Sequence, residues 1–194
     1  MANSINYNDE LKAAIKAATL FTYSKNDRPA LTCVLISANA DSVNVYATDA
    51  FTAFRYTCKN DDGGQFTALL SAADAKALAS VKLQANAHYN LAVEDGTIKL
   101  THFDAVINVF VLQTFTYPSA DNLDRLINEA DNDTPGVACF NAAYVERTCK
   151  AVRLIANKKE KRAVFTFSPD QASLVKCTGD RGTAQMLVMP VRQK

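Results

Sequence analysis

Met186–Arg192 (MLVMPVR) sets a run of four apolar residues, a rigid proline, a valine and an arginine within one short stretch. The apolar run reads as a buried strand. Pro190 lacks a backbone donor and fixes the chain direction, so that strand cannot continue as a central ladder. An apolar strand end, a proline and a permanent cation suit the rim of a peptide groove; they also read as a last core strand that simply stops. A second group is cationic: Lys12, Lys16, Lys76, Arg147, Lys150 and Arg153 lie on predicted helices. They suit phosphate contacts or an ordinary solvated face, and Glu146 has the i,i+4 spacing to pair with Lys150.

No comparable grouping points to catalysis. Asp49, beside Thr48, has no second carboxylate, histidine or nucleophile tied to it, and reads as a turn-stabilising aspartate. His88 and His102 fall in predicted strands on opposite sides of a hairpin and read as core or surface residues. No Ser-His-Asp or paired-carboxylate signature can be placed, and two histidines show no metal-ligand spacing. The expectation is a protein that is not an enzyme, with no metal and no cofactor.

The elements that must position these residues repeat. Three segments follow one plan: short strand, helix, three strands. In the first, Asn8 caps a helix whose apolar face is Leu11, Ile15, Ala18 and Thr22, and Arg28-Pro29 breaks it. Strands are expected at Leu31–Ser37, Ser42–Ala47 and Phe51–Cys58. In the second, Ser71–Asp74 is a capping box before a short helix, and Asp95-Gly96 is a strong hairpin signal between the next strands. A polar, acidic linker follows (residues 119–136), with a short apolar piece at Leu123–Ile127. In the third, Val137–Phe140 reads as a strand and Asn141 as a cap. Val145, Cys149, Val152 and Ala156 form the helix's apolar face, and Lys158–Arg162 a solvated basic turn. The strands Ala163–Ser168, Ala172–Cys177 and Gln185–Met189 complete it. A unit of about 60 residues used three times cannot bury its own helix and sheet faces, so it must pair with copies of itself. Units one and two complete each other; unit three is left without a partner.

The net charge of +1 hides an asymmetry: residues 1–137 carry −6 and residues 138–194 carry +7. Such a split points to a polyanionic partner, to charge-steered assembly, or to both. No leader-like or membrane-spanning apolar run is present, and five cysteines without a CxxC pair read as reduced, packed thiols, so the expected location is the cytoplasm and no membrane is engaged.

The residues resemble the bacterial DNA polymerase III beta sliding clamps over nearly the whole chain. The motifs are Arg28-Pro29-Ala-Leu31, Tyr46-Ala-Thr48-Asp49-Ala50-Phe51, Phe115-Thr-Tyr-Pro118, Phe140-Asn141-Ala-Ala-Tyr144 and Leu187-Val-Met-Pro190-Val-Arg192. The resemblance implies an α+β DNA-clamp fold of repeated β-α-β-β-β half-units, with antiparallel sheets outside and helices on the inner face. Residues 1–118 would form a complete clamp-like domain (half-units about 1–62 and 63–118), 119–136 the linker and 137–194 a half-domain. It implies a peptide pocket at Leu31, Thr48, Ala50, Phe51, Ala53, Pro118, Asn141, Tyr144, Leu187, Val188, Met189, Pro190, Val191 and Arg192. The family usually has a glycine and a basic-apolar pair where Ala50, Thr52 and Ala53 stand. It also implies a DNA-facing set of Lys12, Lys16, Lys25, Arg28, Lys76, Lys82, Arg147, Lys150 and Arg153.

The function so implied is a replication processivity factor that encircles duplex DNA and tethers a DNA polymerase. Its partners would be DNA without regard to sequence, clamp-binding peptides and a clamp loader. The alternative is a clamp-like module or decoy that binds partner peptides without encircling DNA. Rings of twelve half-units would close from four such chains, a tetramer in preference to a dimer, with unit three meeting unit three and unit one meeting unit one.

Overall fold

The first helix begins where Asn8 lets it, its side chain accepting from the backbone N–H of Glu10 and Leu11. The structure, a computed structural model, describes residues 4–85, 87–103, 105–131, 138–157, 162–168 and 171–191. Unit one comprises β1 (Ser4–Asn6), α1 (Asp9–Ala18), β2 (Cys33–Ala38), β3 (Ser42–Thr48) and β4 (Thr52–Lys59). Unit two comprises β5 (Phe66–Ser71), α2 (Ala72–Leu78), β6 (Tyr89–Glu94), β7 (Thr97–His102) and β8 (Ala105–Val111). The Ser71 side chain caps α2 by accepting from Asp74 N–H at 3.1 Å, and its hydroxyl donates to the Asp74 carboxylate at 2.7 Å. After α3 (Ala120–Asp131), unit three comprises α4 (Ala142–Ile155), β9 (Val164–Thr166), β10 (Ser173–Thr178) and β11 (Gly182–Val188).

Units one and two exchange their first strands. β1 joins β6 in a sheet of order β1-β6-β7-β8, and β5 joins β2 in a sheet of order β5-β2-β3-β4-β11-β10-β9. The second sheet therefore runs without a break from unit one into unit three. Its junction is antiparallel, seven residue pairs from Gly182 on Cys58 to Val188 on Thr52. Gly182 is required there, since a Cβ would fall 2.4 Å from the Thr57 carbonyl oxygen, and its N–H donates to Glu10 at 2.9 Å.

Alternation along the strands sorts the seven-stranded sheet into two faces. Val34, Ile36, Val45, Phe54, Val175 and Met186 face α1, α2 and α4 in the main core, which the four-stranded sheet also lines. Leu35, Tyr46, Ala53, Leu174 and Leu187 face the other way, under Leu123, Ile127 and Ala130 of α3.

The structure departs from the sequence reading at several points. The linker holds a three-turn amphipathic helix, α3, which straddles the junction of units one and three. Asp124 accepts from Arg55 at 2.6 Å and from the Tyr46 hydroxyl at 3.1 Å, and Arg55 also reaches Gln185 of β11 at 2.5 Å. Residues 138–140 form no strand; the Cys139 carbonyl instead accepts from Val191 N–H at 2.7 Å. Val137, most of the Lys158–Arg162 turn and Arg192 lie outside the described residues. Unit one does not end the seven-stranded sheet at β4, because β11 covers that strand; the outermost strands are β1 and β8 in one sheet and β5 and β9 in the other. Cys139 is exposed and unlike the packed thiols of Cys33 and Cys177. Among the described residues no helix is long and apolar enough to cross a membrane.

Candidate peptide groove and helix face

The groove grows from the turn between β3 and β4. Asp49 Oδ1 accepts from the N–H groups of Phe51 (3.0 Å) and Thr52 (2.7 Å) and from the Thr52 hydroxyl (2.9 Å). Thr48 closes the same turn, its hydroxyl donating to the Thr52 carbonyl at 2.8 Å. This bonding holds Ala50 at φ +73°, a left-handed conformation that favours glycine. The turn leaves the Phe51 ring half exposed and stacked on Tyr144 of α4, centroids 6.3 Å apart.

Helix α4 is tied to this turn by charge. Arg147 forms an ion pair with Asp49, whose side chain is only 8% exposed, and donates to the Thr52 hydroxyl at 3.1 Å. Its guanidinium also lies 5.5 Å from the Tyr144 ring centroid. The end of β11 completes the surface. Met189 N–H donates to the Phe51 carbonyl at 3.1 Å, which extends the strand past Val188, and Val191 is held on Cys139. Phe51, Met189 and Val191 thus form an exposed apolar group beside Tyr144.

The residues implied by the resemblance separate into classes. Thr48, Ala50, Phe51, Tyr144, Met189, Pro190 and Val191 share one end of the sheet. Leu31 lies in a 3-10 turn (Pro29–Thr32) at the start of β2, the same end of the sheet, and is half buried. Ala53, Leu187 and Val188 are buried: Leu187 faces α3, and Val188 lines a cavity on the opposite face. The Asn141 side chain is occupied as the cap of α4, accepting from Ala143 N–H at 2.9 Å. Pro118 belongs to the α3 side, in a cavity of about 420 Å³ with Leu35, Phe115 and Tyr117. The sequence reading missed the pairing of Arg147 with Asp49; no i,i+4 rule links residues 98 positions apart.

The cations divide as well. Lys16, Lys76 and Arg153 are exposed on α1, α2 and α4, all on one face of the sheets, and Lys12 is partly buried on α1. Lys25 and Lys82 are exposed in the segments that follow α1 and α2. Lys150 pairs with Glu146 at 2.7 Å, and Arg28 lies over the Tyr23 ring at 5.9 Å. Arg147 is committed to Asp49, so its predicted place among the DNA-facing residues does not match its contacts.

Solved structures share this fold. A DNA polymerase sliding clamp from Pseudomonas aeruginosa superposes with TM-score 0.75 at 12% identity, over 100% of this chain and 67% of the other. The fold is that of the DNA sliding clamps. The beta subunit of DNA polymerase from Streptococcus pyogenes gives TM-score 0.73 at 16% identity, over 100% of this chain and 66% of the other. Proliferating Cellular Nuclear Antigen from Entamoeba histolytica gives TM-score 0.70 at 9% identity, over 99% and 100%. This chain therefore spans about two thirds of the bacterial clamps it matches. No family model and no curated protein matches the sequence.

Proposed function

We propose that the chain is the subunit of a sliding clamp, an oligomeric ring around duplex DNA that tethers a polymerase by a short peptide. The observation that carries this reading is the clamp fold with an apolar groove at the junction of units one and three. Met189, Val191, Phe51 and Tyr144 offer exposed apolar anchors, and Tyr144 adds a hydroxyl. Helices α1, α2 and α4 present Lys16, Lys76 and Arg153 on a common face, where contacts to phosphates would be indifferent to sequence. In this reading residues 1–118 act as one clamp domain and 137–194 as half of another. A ring needs several copies, and its contacts fall at two of the outermost strands, β8 of unit two and β9 of unit three. Four chains close it, with unit two meeting unit two and unit three meeting unit three.

The test is binding of a fluorescent clamp-binding peptide by anisotropy. Removing residues 189–194 abolishes binding while the circular dichroism spectrum is retained. Undiminished affinity in that deletion overturns the groove. Loading by a clamp loader and retention on closed circular DNA then separate the ring from a peptide-binding module that does not encircle DNA.

A further inference from the structure

Units one and two show what a half-unit lacks when alone. Each gives its first strand to the other's sheet: Asn6 of β1 lies opposite Asn90 of β6, and Leu69 of β5 opposite Leu35 of β2. Each also closes one face of a shared core. Unit three has all the corresponding parts and packs Val152, Ile155, Val175 and Met186 into that core, but among the described residues it exchanges no first strand. Among the described residues β9 ends its sheet without a neighbour, and Ala138–Phe140, which stands before α4 where a first strand belongs, lies in no sheet. Between α4 and the strands an apolar cavity of about 380 Å³ opens, lined by Phe140, Val145, Phe165, Phe167, Val175 and Val188 among others. Phe165 and Phe167 remain about two-fifths exposed in it.

We infer that the occupant of this half-open core is unit three of a second copy, bound by reciprocal exchange of the segment 138–140. Donor segment and acceptor edge lie on the same unit, so one two-fold operation satisfies both, as an isologous contact requires. The pairing repeats one the chain already makes internally between units one and two. Its register follows from the same comparison. Val164 pairs with Lys176, two residues before the last ladder pair of β10 and β11, Thr178 with Thr183. Leu35 pairs with Tyr46, two residues before the last pair of β3 and β4, Thr48 with Ala53. Leu69, two residues before the cap Ser71, lies opposite Leu35. Cys139, two residues before the cap Asn141, therefore lies opposite Val164 of the other copy. Each unit three carries a net +7, so the copies repel across an apolar contact, and salt strengthens the association.

The inference extends the ring reading by naming one of its contacts, and its test uses no DNA and no peptide. The full-length Val164→Cys variant, oxidised mildly, gives a dimer band on a non-reducing gel, which Cys139→Ser abolishes. By light scattering, Phe165→Asp with Phe167→Asp reduces the mass at this contact by half without altering the circular dichroism spectrum, and raising salt increases association in the parent. A cross-link confined to one chain, a dimer band that survives Cys139→Ser, or an unchanged mass in the double variant overturns the exchange. Peptide binding measured on the same variants stays at the parental level, so loss of this contact is distinguishable from loss of the groove.

Discussion

Replacing Arg147 by alanine tests the joint between α4 and the groove turn. The Asp49 side chain is 8% exposed and would keep its three donors on Oδ1, but Oδ2 would lose the guanidinium. Breaking a fully buried pair costs about 3–5 kcal/mol, and a hydrogen bond to a charged group about 1.5–3 kcal/mol. Arg147 is a quarter exposed, so water can reach the vacated position and the lower range applies. With the contact to Tyr144 also lost, the expected destabilisation is about 2–3 kcal/mol. At a urea slope of about 2–3 kcal/mol/M, the midpoint falls by about 1 M. Arg147→Lys recovers only part of this, because an ammonium cannot span Asp49 and Thr52 as the planar fork does. A double-mutant cycle with Asp49→Asn isolates the pair. If Arg147→Ala keeps the parental midpoint and only weakens DNA retention, then Arg147 is a phosphate contact and the ion pair is incidental.

Other consequences follow from single contacts. Ala50→Gly relieves a left-handed alanine, worth about 1–2 kcal/mol, against about 0.4–1 kcal/mol of added freedom in the unfolded chain, so a net gain of about 0.5–1 kcal/mol should appear as a raised urea midpoint. Asp124→Ala frees α3 from Arg55 and Tyr46; with Asp124 one-third exposed, the loss is about 1–2 kcal/mol, read by hydrogen exchange across α3 and the β4–β11 junction. Thiol labelling at pH 8 should reach Cys139, exposed in the single chain, first under dilute low-salt conditions where copies are apart. Cys177 should react last, because burial pushes its thiol up to about 11 and leaves little thiolate below that pH. Lys16→Glu with Arg153→Glu should weaken retention on DNA and flatten its salt dependence, while peptide affinity stays unchanged.

Much of the fold was legible because it is local. Asn8, Ser71 and Asn141 cap helices as their types require, and Asp95-Gly96 closes its hairpin with both residues at positive φ. Asp49 reads correctly as a turn residue for the same reason. What the sequence hid is long-range. Leu123, Ile127 and Ala130 have helical spacing inside a polar, acidic stretch, and their burial depends on the sheet face beneath them. Arg147 looked like any helix-face cation until the fold brought Asp49 to it. The order of the units is long-range too: which edge stays free depends on β11 choosing β4, and nothing within either strand announces that choice. Residues 138–140 have strand character with no sheet in their own chain to join, so pattern alone could not place them. In the groove, the residue types at the strand end were readable, while Val188 is drawn into a core role that only the packing reveals.

The central claim is that copies of this chain form a clamp ring, and negative-stain electron microscopy of the purified protein, paired with its native mass, tests it most directly. The expected result is a closed ring with a central hole and a mass near four copies of 21.1 kDa. A strictly monomeric mass at high concentration and high salt, with no ring in the images, would contradict it.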